Sequence, residues 1–268
     1  MIAVDWSGAL GPHRRRLWVA VTDGQGTVVE LDPATREEAA ERILDAAGCC
    51  PELVAGIDFS FSLPGWWLSA CGITTAPELW GDPRRLEGWL DACEPPFWGR
   101  PGRRRPPGPL EAGYRRTELA VSPRPRSTFQ VGGAGSVGTG SLRGMPVLAR
   151  LREAGMTVWP FESWRTPAVV EVWPRLAIGQ LVKSDPAARL CWVRSQGHRL
   201  SPAAATAAAS SPDALDAAAA AIDLAGRRCA RPDPPDPVIA LEGWIDGVPL
   251  PRPAQLRASS RTPTRRAP

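Results

Sequence analysis

The sequence has no apolar run near the ~18 residues that a membrane-crossing helix requires, so no membrane partner is expected. It has only two histidines, and none of its six cysteines (Cys49, Cys50, Cys71, Cys93, Cys191 and Cys229) forms a C-x-x-C pair. That argues against a zinc site. There is no basic stretch ahead of Ile2-Ala3-Val4-Asp5, so the N-terminal segment does not read as a signal peptide. The expectation is a reduced, cytoplasmic protein. Lysine is almost missing as well: Lys183 stands alone against 31 arginines. This imbalance fits a GC-rich coding bias, under which arginine runs can be no more than solvated surface.

The chain does have enough apolar residues, 43% of 268, to bury a core. Its charge is unevenly distributed. Residues 98–130 hold eight arginines against two acids, and residues 251–268 hold five arginines and no acid. The net charge is +4, so the remainder carries about −7. An acidic body flanked by arginine-rich segments suits a partner bearing phosphates, with the solvated-surface reading as the alternative.

Strand and helix signals place a compact α/β unit at the N-terminal end. Ile2 to Ser7, Arg16 to Val21 and Thr27 to Leu31 read as strands, with a turn at Gly24-Gln25-Gly26. Residues 34–47 read as a helix closed by Gly48, and Pro51 to Asp58 as a buried strand. The first three strands are expected to be antiparallel neighbours and the fourth to be parallel after a helical crossover. Residues 61–130, rich in tryptophan, proline and arginine, read as a partly irregular insertion or lid. Strand character returns at 128–133, followed by a glycine-rich loop (132–144) and a helix over about 145–154. Further strands are expected at Met156 to Phe161 and Ala168 to Val172, and an alanine-rich helix within 203–227. Val238 to Ile245 reads as a last strand or strap, and 251–268 as a disordered tail. The expected domain is thus 1–250.

Two segments echo each other: Val4-Asp5-Trp6-Ser7 and Ile57-Asp58-Phe59-Ser60. Each places an acid at the end of an apolar strand, where an unpaired charge is costly. Two such acids on adjacent strands repel unless a cation lies between them. Capping of the following loop is the plainer explanation, and Ser7 and Ser60 are either supporting donors or turn residues. On the alanine-rich helix Asp213 and Asp216 share a face by i, i+3 spacing. Asp213 also suits the first turn of a helix capped by Ser211, while Asp216 lies a turn deeper, ahead of five alanines.

The set IAVDWSG (2–8), AGIDFSFS (55–62), VEVWP (170–174), DALDA (213–217) and EGWI (242–245), in that order, resembles the domain of unknown function family 429, a family of predicted nucleases. The D-x-x-D-A helix is more distantly similar to that of Holliday-junction resolvases. The resemblance implies a ribonuclease H-like fold: a mixed five-stranded sheet of βββαβ order flanked by helices, with a large insertion after the fourth strand. It implies Mg²⁺ or Mn²⁺ held by Asp5, Asp58 and Asp216, with Glu171 or Asp213 as a fourth catalytic acid. It also implies hydrolysis of DNA or RNA phosphodiesters.

Three rival readings remain. Gly133, Gly135, Ser136 and Gly138 lie in a G-x-G-x-x-G run that could hold a phosphate in a backbone nest, or a dinucleotide if Glu162 ends the next strand. A flexible loop crossing the cleft is the plain alternative. An actin-like kinase is disfavoured, because such proteins duplicate this unit. A non-catalytic module could bind nucleic acid through arginines and tryptophans, with Trp66, Trp67 and Trp98 as contact candidates.

Overall fold

The computed structural model describes residues 1–9, 17–133, 135–227 and 230–251. Expectations that fall on the tail beyond Pro251, and on Cys229, lie outside the described residues. The chain forms β1 (Ile2–Asp5), β2 (Leu17–Thr22) and β3 (Val28–Ala34), then α1 (Arg36–Cys49) and β4 (Val54–Ile57). Helix α1 is closed by a capping box, in which Thr35 and Glu38 satisfy each other's backbone amides. The segment after β4 contributes α2 (Gly65–Ala70), α3 (Ala76–Trp80), α4 (Pro83–Ala92) and α5 (Arg116–Leu119). Then come α6 (Val137–Glu153), β5 (Thr157–Val158), β6 (Ala168–Glu171) and α7 (Arg175–Ile178). The described chain ends through α8 (Pro186–Gln196), α9 (Pro202–Ser210), α10 (Pro212–Gly226) and α11 (Pro237–Glu242).

The sheet is mixed and α/β in class, with strand order β3-β2-β1-β4-β6-β5. As expected, β1, β2 and β3 are antiparallel neighbours, and β4 lies parallel to β1. The sheet has six strands rather than five, because the two-residue β5 pairs parallel with β6 at its edge. Thr157-Val158 is all that remains of the longer strand expected at 156–161.

Side-chain alternation divides the core in two. Ile2, Val4, Ile57 and Val169 face α1, α6 and the helices of the insertion. Ala3, Ala20, Val54 and Val170 face α9 and α10. Small residues permit the second contact. A side chain at Gly56 would strike Leu224 of α10 and Val172 within 2.6 Å, so β4 and α10 can meet only at a glycine.

Four expectations are corrected here. The 61–130 insertion is partly irregular, as expected, but it is not a lid: Phe61, Leu63, Leu68, Leu79, Trp80, Leu86, Leu90, Phe97 and Phe129 build much of one core half. Residues 128–133 form no strand beyond a bridge between Trp98 and Gln130. Helix α6 starts at Val137, well before 145, and contains Gly138, Gly144 and Pro146. Packing overrides propensity there, since a Cβ at Gly144 would lie 2.6 Å from the Phe59 ring. Finally, residues 237–242 are helical, and the alanine-rich segment is two helices divided at Ser211, whose side chain caps α10.

Candidate functional site

The strand ends place two of the acids together. Val4 is paired with Ile57, so Asp5 and Asp58 follow at neighbouring positions, and the Asp58 amide continues the ladder to the Val4 carbonyl. Alternation sends both towards α10. Asp5 lies two residues beyond Ala3, and Asp58 two beyond Gly56. The aromatics that follow turn the other way: the rings of Trp6 and Phe59 pack at a tilt with centroids 5.1 Å apart, and the Trp6 indole donates to the Gly140 carbonyl of α6.

Helix α10 supplies the third acid. Asp216 is 4% exposed, faces the strand ends and accepts a bond from the Lys183 ammonium through Oδ2. Its Oδ1 is buried with no hydrogen-bond partner. Asp213, one turn earlier, is partly exposed, and its charge reaches both Asp5 and Asp216.

Two carboxylates on adjacent strands about 5 Å apart repel by roughly 3 kcal/mol at an effective dielectric of about 20. The titration behaviour reflects this crowding. Burial, then Asp58, Asp216 and Asp213, push Asp5 well above the usual carboxylate range. Burial and then Asp216 do the same to Asp58. Asp216 is raised by burial, with Lys183 pulling the other way. Burial alone would lower the Lys183 ammonium, but Asp216, Asp5 and Asp58 together raise it. One ammonium is set against three crowded acids, and the crowding favours protons or a cation among them.

Glu171 is turned away from this group, although its charge also raises Asp58 and its side chain lines the same cleft as Asp58 and Asp216. Its neighbours Val170 and Val172 face α10, so Glu171 points to the opposite face of the sheet. There both of its oxygens bond to Arg115, at 2.8 and 2.5 Å, and one also accepts from the Phe61 amide at 3.0 Å. Arg115 is fully buried and also holds Glu118. Nearby Glu242 accepts the amides of Gly65 and Arg116 at 2.7 and 2.8 Å. Of the two acids expected as a fourth member, Glu171 is held in an ion pair with Arg115, and Asp213 is the one whose charge reaches Asp5.

A cleft of about 820 Å³ opens beside the aspartates, with Asp58, Asp216 and Lys183 in its lining. Arg124, Arg126, Arg175 and Trp173 also line it, as do Gly135, Ser136 and Gly140 from the glycine-rich segment. No family model, no curated protein and no solved structure matches this chain. Function must therefore be argued from the site alone.

The four glycine-loop candidates separate. Gly135 and Ser136 reach the cleft, Ser136 as the N-cap residue of α6. Gly138 is buried inside the first turn, its amide bonded to the Gln130 carbonyl, and Gly133 does not line the cleft. No strand precedes the loop, and Glu162 is held by Arg152 and the Val158 amide. The dinucleotide fingerprint thus lacks its strand and its free acid. Ser7 acts as a turn residue, its hydroxyl accepting the Ala9 amide. Trp67 belongs to an aromatic cluster with Trp89, Phe97 and Phe129, whereas Trp66 is exposed but outside the cleft.

The donor chemistry fits a hard cation: carboxyl oxygens only, crowded enough to raise Asp5 and Asp58, and an orphaned oxygen on Asp216. The spacing is not that of a closed ion site. Among the described residues no three His, Cys, Asp or Glu side chains form a group able to hold a metal. Sequence reasoning missed Lys183, Arg115 and Arg175. The first stood out only as the single lysine, and the others had no local signal.

Proposed function

We propose that this protein is a divalent-metal-dependent nuclease on a ribonuclease H-like sheet, acting on phosphodiester bonds of DNA or RNA. The observation that carries the reading is the placement of Asp5, Asp58 and Asp216 on one face, from two adjacent strand ends and a late helix, buried and close enough that Asp58 and Asp216 raise Asp5 and Asp216 raises Asp58. The strand order, with three antiparallel strands followed by parallel ones, supports the fold assignment.

Each group then has a role. The oxygens of Asp5, Asp58 and Asp216 would hold Mg²⁺ or Mn²⁺. A divalent ion there supplies positive charge to the phosphoryl group and acidifies water. Arg124 and Arg126, exposed on the cleft rim, and Arg175 on its wall would hold flanking phosphates. Arg124 is itself oriented over the Tyr114 ring at 5.0 Å. Asp213 stands close enough to tune the group electrostatically.

The test is a panel of single-stranded, duplex and branched DNA and RNA, incubated with Mn²⁺ or Mg²⁺ and with the wild-type protein or Asp5→Asn. Cleavage by the wild type alone is expected. A second reading, a non-catalytic nucleic-acid-binding module, is favoured by the ion pair between Lys183 and Asp216, which already neutralises one acid. Tight, salt-sensitive binding with no cleavage of any substrate would decide for it.

A further inference from the structure

We propose that Lys183 is the resident cation of the Asp5–Asp58–Asp216 group, and that a divalent ion must displace it to bind. The inference rests on the proposed metal site and concerns the residue that sets its affinity. Lys183 lies in the turn between α7 and α8, and its ammonium bonds Asp216. Its charge acts on Asp5 and Asp58 as well. One monovalent ammonium leaves Asp216 Oδ1 without a partner, and Asp5 and Asp58 stay raised in spite of it. A divalent ion with several open positions answers that deficit better than a single N–H bond.

The surroundings allow the exchange. The backbone of the turn is pinned, because Arg189 donates to the Lys183 carbonyl at 2.7 Å and Arg175 to the Leu181 carbonyl at 3.0 Å. The Lys183 side chain is 42% exposed and borders the 820 Å³ cleft, so it has room to leave without moving the chain. Its departure would free both oxygens of Asp216 together. This accounts for an acid group that has the right donors yet is not gathered around an ion position.

The test uses the full chain and Mn²⁺ alone, with wild type, Lys183→Met and Lys183→Arg. Titration calorimetry is expected to show Lys183→Met binding Mn²⁺ more tightly by about tenfold or more, an ordinary size for coupling between two events at one site. Lys183→Arg should bind no more tightly than wild type. In EDTA, Lys183→Met is expected to melt roughly 2–4 °C lower, and adding Asp216→Asn to the same chain should recover the loss. Unchanged or weaker Mn²⁺ binding by Lys183→Met overturns the displacement. A Lys183→Met protein as stable as wild type in EDTA overturns the counter-ion role. If neither protein binds Mn²⁺ but the melting differences hold, the metal reading of the site fails and the displacement with it, while the lysine stands as a structural counter-ion.

Discussion

Two groups of buried acids lie on opposite faces of the same sheet, and their states contrast. In one, Arg115 holds Glu171 and Glu118 in a fully buried ion-pair network, and backbone amides satisfy Glu242. In the other, Asp5, Asp58 and Asp216 share a single half-exposed ammonium, and one oxygen has no partner. Both groups contain more acids than cations, so sign alone does not separate them. Saturation of hydrogen bonds does. A guanidinium with five donors closes a site, whereas a lysine making one bond leaves it open. The closed group fastens the insertion to β6, and both groups reach the same cleft, which Glu118 and Glu171 line together with Asp58 and Asp216.

The contrast can be broken most strongly at Arg115. Replacement by methionine strands two buried carboxylates and should cost about 3–5 kcal/mol, read as a lower urea midpoint or as loss of soluble protein. A variant as stable as wild type would mean that the Arg115 group is not structural. At the open group the same kind of change should act on activity instead. Asp5→Asn should lower metal-dependent cleavage by more than about 100-fold while circular dichroism remains that of the wild type.

A subtler result sharpens the comparison further. Asp58 is raised by burial and by Asp216, so the folded protein holds this proton more tightly than the unfolded chain does. The associated stability is complete below the ordinary value of 3.8 and is lost as pH rises through the higher folded value. Melting temperature without metal should therefore fall as pH is raised through that window. Asp58→Asn should flatten the fall and be more stable than wild type at neutral pH by about 1 kcal/mol. An unchanged pH profile would show that Asp58 is not strained by its neighbours. The smallest effect belongs to an exposed pair away from both groups. Glu37→Ala, which loses only the bond to Arg150, should change stability by less than about 0.5 kcal/mol in the same melts.

Much of the frame was legible locally. The β1–β4 segments announced themselves by alternation and turns, and α1 and α10 by their caps and alanine content. Asp5, Asp58 and Asp216 were legible for the same reason: each sits at a fixed phase of a regular element. The errors fall where packing outweighs local preference. Helix α6 runs through glycines that spare Phe59, and residues 237–242 form a helix instead of extending. The strand around Glu171 shows an acid in an apolar run but not which face that acid takes, so its pairing with Arg115 was not legible.

The sequence by itself determined the strand order signals, the faces of β1 and β4, and the acids that end them, because period-two alternation and turn chemistry act between near neighbours. Only the tertiary structure decided which acids are neutralised. Arg115 reaches Glu171 across 56 positions and Lys183 reaches Asp216 across 33. No local pattern encodes either meeting. Each depends on where a separate segment lands once the sheet has closed its core.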